Sequence, residues 1–201
     1  SINLFQEIEF VELGYWKQSG KFDGPFYSID EKLLSSICKM TEKKLSIMVD
    51  YHYCSHKVED FPNNIDFVEL DLIRVCLRKE DIAEGCRFVK ELKKYTNCKL
   101  SLNFFNITNY EENDLAFACE SAAGSKADFM YFADTHGGLD LGKNLEMFKR
   151  YTKLIKEIKD ELSVKPFTYN KGQNNEMGRF CVYMESPKKL YLPRFYGLKK
   201  F

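Results

Sequence analysis

Residues 129–138 read Phe129-Met130-Tyr131-Phe132-Ala133-Asp134-Thr135-His136-Gly137-Gly138. An apolar run of strand length stops at an acid, a hydroxyl and an imidazole, and a glycine pair follows that can turn the backbone sharply toward the next element. Polar chemistry at the carboxyl end of a strand is how parallel α/β folds bind ligands, because the turns there vary while the strands beneath hold them rigid. The same residues also suit a buried strand closed by a capped turn. The rest of the chain decides between the two.

Similar runs precede this one: residues 8–14 (IEFVELG), 45–50 (LSIMVD), 67–77 with its most strand-like part at Leu72-Ile73-Arg74-Val75-Cys76, and 99–105 (KLSLNFF). A weaker one follows at 164–169, interrupted by Pro166. Between them the apolar residues fall at helical spacing. Asp30 can cap a helix that carries Leu33, Leu34 and Ile37 on one face, and residues 80–95 place Ile82, Phe88, Val89 and Leu92 opposite lysines. Residues 111–123 predict a helix ended by Gly124 as its C-terminal cap, and 144–162 a long amphipathic one. Gly20, Gly24 and Pro25 mark 16–27 as a loop, and 55–64 is a polar connection.

Strands alternating with helices are the rhythm of a parallel sheet. A doubly wound sheet usually announces itself with a Gly-rich phosphate loop after its first strand, and ELGYWKQSG at 12–20 lacks that pattern. A TIM barrel needs eight strands and typically about 250 residues. The expectation for these 201 residues is therefore an α/β fold, an incomplete TIM (β/α) barrel of about six parallel strands. One domain is expected over 1–186, with a basic, aromatic tail at 187–201.

Lys plus Arg and Asp plus Glu number 30 each, so bulk charge attracts neither nucleic acid nor an anionic membrane. No apolar run approaches the roughly 20 residues of a bilayer span, and the first residues are not a signal segment. A cytoplasmic protein without nucleic-acid or membrane partners is expected. The seven cysteines stand singly, with no CxxC pair, which predicts reduced and mostly buried thiols.

Taken together, the strands deliver Glu12, Asp50 with His52, Arg74, Asn103, and Asp134-Thr135-His136. An arginine inside a run as apolar as 72–76 must be paired or face a polar cavity, because an unpaired buried guanidinium is very costly. Arg74 thus marks a site or a buried ion pair.

These stretches, in order, resemble the metal-dependent lyase and aldolase barrels that include 3-hydroxy-3-methylglutaryl-CoA lyase, isopropylmalate synthase and 4-hydroxy-2-oxovalerate aldolase. The resemblance is carried by IEFVELGY at 8–15, LSIMVD at 45–50, DLIRVCL at 71–77, LSLNFFNIT at 100–108 and DFMYFADTHGGL at 128–139, which match that family's second to sixth strands. It lies nearest the aldolase-like branch. It implies a carbon–carbon lyase or aldolase acting on a 2-oxo acid or acyl-CoA-type substrate through an enolate, with magnesium or manganese as Lewis acid and an arginine sharing the negative charge. By position, Glu12, Arg74, Asp134 and Thr135 would be catalytic, and Asn103, His136 and Gly137 would bind the substrate, a small carboxylate or 2-oxo acid.

Two departures accompany the match. The family's first strand carries an Arg-Asp pair that has no counterpart in residues 1–5, and Thr168 and Asn170 stand where its seventh strand has two metal-binding histidines. A hydroxyl and an amide are far weaker ligands than two imidazoles. Two readings follow: a working enzyme whose metal is held by substitutes such as Asp134, His136, Asp50 and His52, or a catalytically silent or truncated relative that retains the fold and a ligand pocket. Missing strands also imply a homo-oligomer or a partner covering the open barrel.

Overall fold

The computed structural model describes residues 10–17, 24, 26–63 and 70–136, and the backbone of three short strands beyond them. Its elements in chain order are β1 (Phe10–Tyr15), α1 (Glu31–Cys38), β2 (Lys44–Asp50), β3 (Leu70–Leu77), α2 (Ile82–Tyr95), β4 (Lys99–Phe104), α3 (Glu112–Ser125), β5 (Phe129–Asp134), β6 (Tyr169–Lys171), β7 (Tyr183–Met184) and β8 (Leu190–Tyr191). β7 and β8 pair antiparallel in a small separate sheet.

The first six strands form one sheet in the order β1-β2-β3-β4-β5-β6, every neighbouring pair parallel. A doubly wound sheet reverses direction at a switch point, and this order never does. Crossovers between parallel neighbours are right-handed as a rule, and an unreversed parallel order of this kind is the winding of a (β/α) barrel. The expected α/β, partial TIM-barrel fold is therefore the one observed.

Alternation along the strands explains which residues reach the helices. Leu45, Ile47 and Val49 of β2, Ile73, Val75 and Leu77 of β3, and Leu100, Leu102 and Phe104 of β4 join one buried cluster with Cys86, Phe88, Val89 and Leu92 of α2. α2 also packs on α3. At Gly85 it lies close against the sheet, where an added Cβ would be 2.2 Å from Leu77 Cδ2.

Local signals placed several boundaries well. Asp30 caps α1, its carboxylate accepting from the Leu33 amide at 2.8 Å. Gly124 does not end α3 as the sequence suggested. It is an exposed position inside the helix, and Lys126 takes the left-handed conformation at φ 63° one residue past Ser125. Trp16, expected to open a loop, is instead a core residue at 2% exposure that bridges to Ile29 and donates from Nε1 to the Asp60 carbonyl at 2.9 Å. The predicted helix at 144–162 lies outside the described residues. Of the weak last strand only 169–171 is seen, as β6, and 164–168 lie outside the described residues.

Cys76, Cys86, Cys98 and Cys119 are buried free thiols, and Cys38 and Cys54 are free and half-buried. Among the described residues no helix is long and apolar enough to cross a membrane.

Candidate ligand site on the polar face of the sheet

The face of the sheet turned away from the helices carries the chemistry, and the strand register arranges it in rows. One row runs Glu12, Ser46, Leu72, Lys99 across β1 to β4. The next runs Tyr15, Met48, Arg74, Ser101, Phe129, and the third Asp50, Cys76, Asn103, Tyr131. Long side chains from adjacent rows meet where the middle strands carry them.

Arg74 is the centre of this face. Its guanidinium Nη1 donates to Glu12 Oε2, and its Cζ lies 5.4 Å from the centroid of the Tyr131 ring. The side chains are 17% and 33% exposed for arginine and glutamate, so a mostly buried guanidinium meets a carboxylate that still reaches solvent. Burial of Arg74 works against its charge, yet the Glu12 carboxylate outweighs it and holds the guanidinium pKa above its ordinary value. The expected pairing of Arg74 is thus found, and it joins β3 to β1 across β2.

Behind the arginine lies a buried polar row. Asn103 is 3% exposed and its Nδ2 lies 3.6 Å from Cys76 Sγ, which in turn is 3.7 Å from Met48 Sδ. Burial pushes the Cys76 thiol up to about 12, which leaves it protonated and inert as a nucleophile. Asn103 Oδ1 and the Ser101 hydroxyl are both buried and have no hydrogen-bond partner. A buried hydroxyl without a partner costs roughly 1–3 kcal/mol. Ser101→Ala is accordingly expected to stabilise the fold by about 1 kcal/mol, read as a raised urea midpoint at unchanged slope. A lowered midpoint would mean the hydroxyl is satisfied in solution.

The β1 edge adds a residue that reading by alternation misses. Between Glu12 and Tyr15 the register slips by one, so that two residues of β2 span three of β1. Gly14 sits in that bulge at φ 142°, and an added Cβ would lie 2.1 Å from the Phe26 carbonyl oxygen. The slip turns Tyr15 to the polar face beside Met48, where its ring stacks on Tyr27 at 6.4 Å and 6°. Burial pushes the Tyr15 phenol up to about 12, helped by Cys76, Asp50, Glu12 and Tyr27. The sequence cue was the glycine inside a strand pattern, which signals a bulge.

Asp50 and Arg78 form a second ion pair at the carboxyl ends of β2 and β3. Arg78 Nη1 and Nη2 donate to the two Asp50 carboxylate oxygens at 3.1 Å, the arginine lies over the Tyr53 ring at 5.1 Å, and His52 Nδ1 stands 3.8 Å from Asp81 Oδ2. Arg78 escaped sequence reading because it falls just past its strand, where any charge passes for a solvated end.

The stretch at 129–138 divides. Alternation places Asp134 on the face of Met130 and Phe132, opposite Arg74, at 0% exposure. The Thr135 hydroxyl accepts from the Asn106 amide at 3.0 Å and so holds the turn after β4, whose Asn106 has φ 54°. His136 is an exposed turn residue. Gly137 and Thr168 lie outside the described residues, and of Asn170 only the backbone is described, in register with Ala133.

Among the described residues no group of three or more His, Cys, Asp or Glu is placed to hold a metal ion. Both carboxylates of the polar face are committed to arginines, Glu12 to Arg74 and Asp50 to Arg78. The described donors therefore do not fit a divalent-metal site by themselves.

No protein-family pattern matches this chain, and no curated protein matches it. Among solved structures it is similar to one described as "the N-terminal domain of a putative aldolase from Bacteroides vulgatus", at 18% sequence identity and a TM-score of 0.58. The match covers 86% of this chain and 64% of the other, so the chain spans less than two thirds of that structure. The likeness is one of fold, that of an α/β domain built on a parallel sheet.

Proposed function

We propose that the chain is an aldolase-like barrel domain whose polar sheet face binds a small carboxylate or 2-oxo acid, with Arg74 as the anion anchor. The observation that carries this is a guanidinium projecting from the middle of a parallel sheet, on the face away from the helices, beside buried polar groups that lack partners. Charge-assisted bonds from a preorganised guanidinium are the usual means of holding a carboxylate, and the same cation would stabilise the enolate of a 2-oxo acid. Glu12 holds Arg74 in place.

A second reading is binding without turnover, and the commitment of both carboxylates to arginines favours it. The two readings separate by nuclear magnetic resonance with pyruvate in deuterated buffer, with and without magnesium or manganese, the metals implied by the family resemblance. Saturable binding with exchange of the methyl protons supports an enolising, lyase-type enzyme. Saturable binding without exchange supports the silent relative. Neither binding nor exchange at millimolar pyruvate sinks the proposal.

A further inference from the structure

We propose that Tyr15 determines which acids this site accepts, donating its phenol hydrogen to the 2-oxo or 2-hydroxy oxygen of a ligand whose carboxylate sits at Arg74. The proposal rests on the reading of Arg74 as an anion anchor and adds the residue that tells a 2-oxo or 2-hydroxy acid from a plain carboxylate.

Regular alternation along β1 would put Gly14 in the Arg74 row and turn Tyr15 toward the helices. The bulge reverses this: Tyr15, Met48, Arg74 and Ser101 are successive partners across the sheet. Tyr15 and Arg74 are thus two strands apart, roughly 10 Å between backbones from twice the strand spacing. Both are long side chains on the same face, and Met48 stands between them with its sulfur 3.7 Å from that of Cys76. Two long polar groups facing each other over one residue bracket a ligand of a few heavy atoms.

The phenol is equipped to donate. Its ring is held by the parallel stack on Tyr27, and the residue is half-buried. A phenol is protonated at neutral pH in any case, and burial, with its acidic and thiol neighbours behind it, moves it further from ionisation. The guanidinium attracts the charged end of a ligand, and the phenol O–H is suited to donate to its neutral oxygen. The arginine therefore takes the charged end of the ligand and the phenol the neutral oxygen. A site built to hydrogen-bond a substrate oxygen discriminates strongly against analogues lacking it.

Titration calorimetry of the wild-type chain and Tyr15→Phe with pyruvate and propionate tests this, since propionate lacks the second oxygen. Wild type should prefer pyruvate by about tenfold or more, and Tyr15→Phe should lose about tenfold for pyruvate while binding propionate unchanged. Phenylalanine keeps the ring and its stack, and an unchanged thermal midpoint confirms the fold. If both acids bind wild type equally, or Tyr15→Phe weakens both to the same extent or neither, the role of Tyr15 is overturned while Arg74 stands. If neither acid binds wild type, the anchor falls and the selectivity with it.

Discussion

Gly14→Ala is expected to destabilise the chain by on the order of 3 kcal/mol and to remove Tyr15 from the polar face. Two causes act together. The backbone at φ 142° is one that residues with a Cβ rarely adopt, at a cost of about 1–3 kcal/mol. The new methyl would also sit 2.1 Å from the Phe26 carbonyl oxygen, and that carbonyl accepts from the Tyr15 amide at 2.9 Å, so it cannot yield without breaking the contact that closes the bulge. Gly124→Ala is the matched control: the position is helical and exposed, with nothing within 4 Å of the added atom, and alanine should stabilise by about 0.5–1 kcal/mol. Urea denaturation of both variants checks the pair. A Gly14→Ala midpoint equal to wild type would show that β1 runs as a regular strand, and the placement of Tyr15 would be lost.

Breaking the Glu12–Arg74 pair gives the second large effect, and it is asymmetric. Glu12→Gln leaves a largely buried guanidinium without its countercharge and should cost about 2–3 kcal/mol, between the values for surface and fully buried pairs. Arg74→Met leaves the carboxylate instead, but Glu12 is a third exposed and can recover water, so the expected cost is smaller, about 1 kcal/mol. The double variant should cost less than the sum of the two, because the second change removes the charge that the first left stranded. Strict additivity in chemical denaturation would show that the pair does not interact in solution. On function the order inverts. Arg74→Met should abolish carboxylate binding, a loss of about a hundredfold or more, while Glu12→Gln retains the anchoring cation.

Much of the fold was legible because its signals are local. The apolar runs at 45–50, 72–76, 99–105 and 129–133 and the helical spacing between them are set by what each segment must bury, and Asp30 announced its cap by residue type alone. Arg74 was legible for a similar reason: a charge within a buried run must find a partner wherever the chain goes. The end of α3 was misjudged at Gly124 because glycine only permits a cap. Helix length was settled by packing, with Ser125 buried and Lys126 accepting the strained turn.

The site was legible only in part, and the face of Asp134 shows why. A strand of a parallel sheet is apolar on both sides, so Phe129-Met130-Tyr131-Phe132-Ala133 does not say which side the following acid takes. The ring of Tyr131 under Arg74 and the contact of Phe132 with Phe104, at 5.6 Å between centroids, decide it. Thr135 became a turn-holding residue by the same means, through an amide 29 positions away.

What the sequence determined by itself was the succession of strands and helices, their parallel winding, and the demand that Arg74 be compensated, all consequences of burial read along the chain. Tertiary structure alone decided which side chains share a face and whom they meet. The partner of Arg74 lies 62 residues away, that of Asp50 lies 28 away, and Tyr15 reaches the polar face only because the Phe26 carbonyl closes a bulge at Gly14. Those outcomes depend on register between strands, and register is fixed by contacts between distant segments that no single stretch contains.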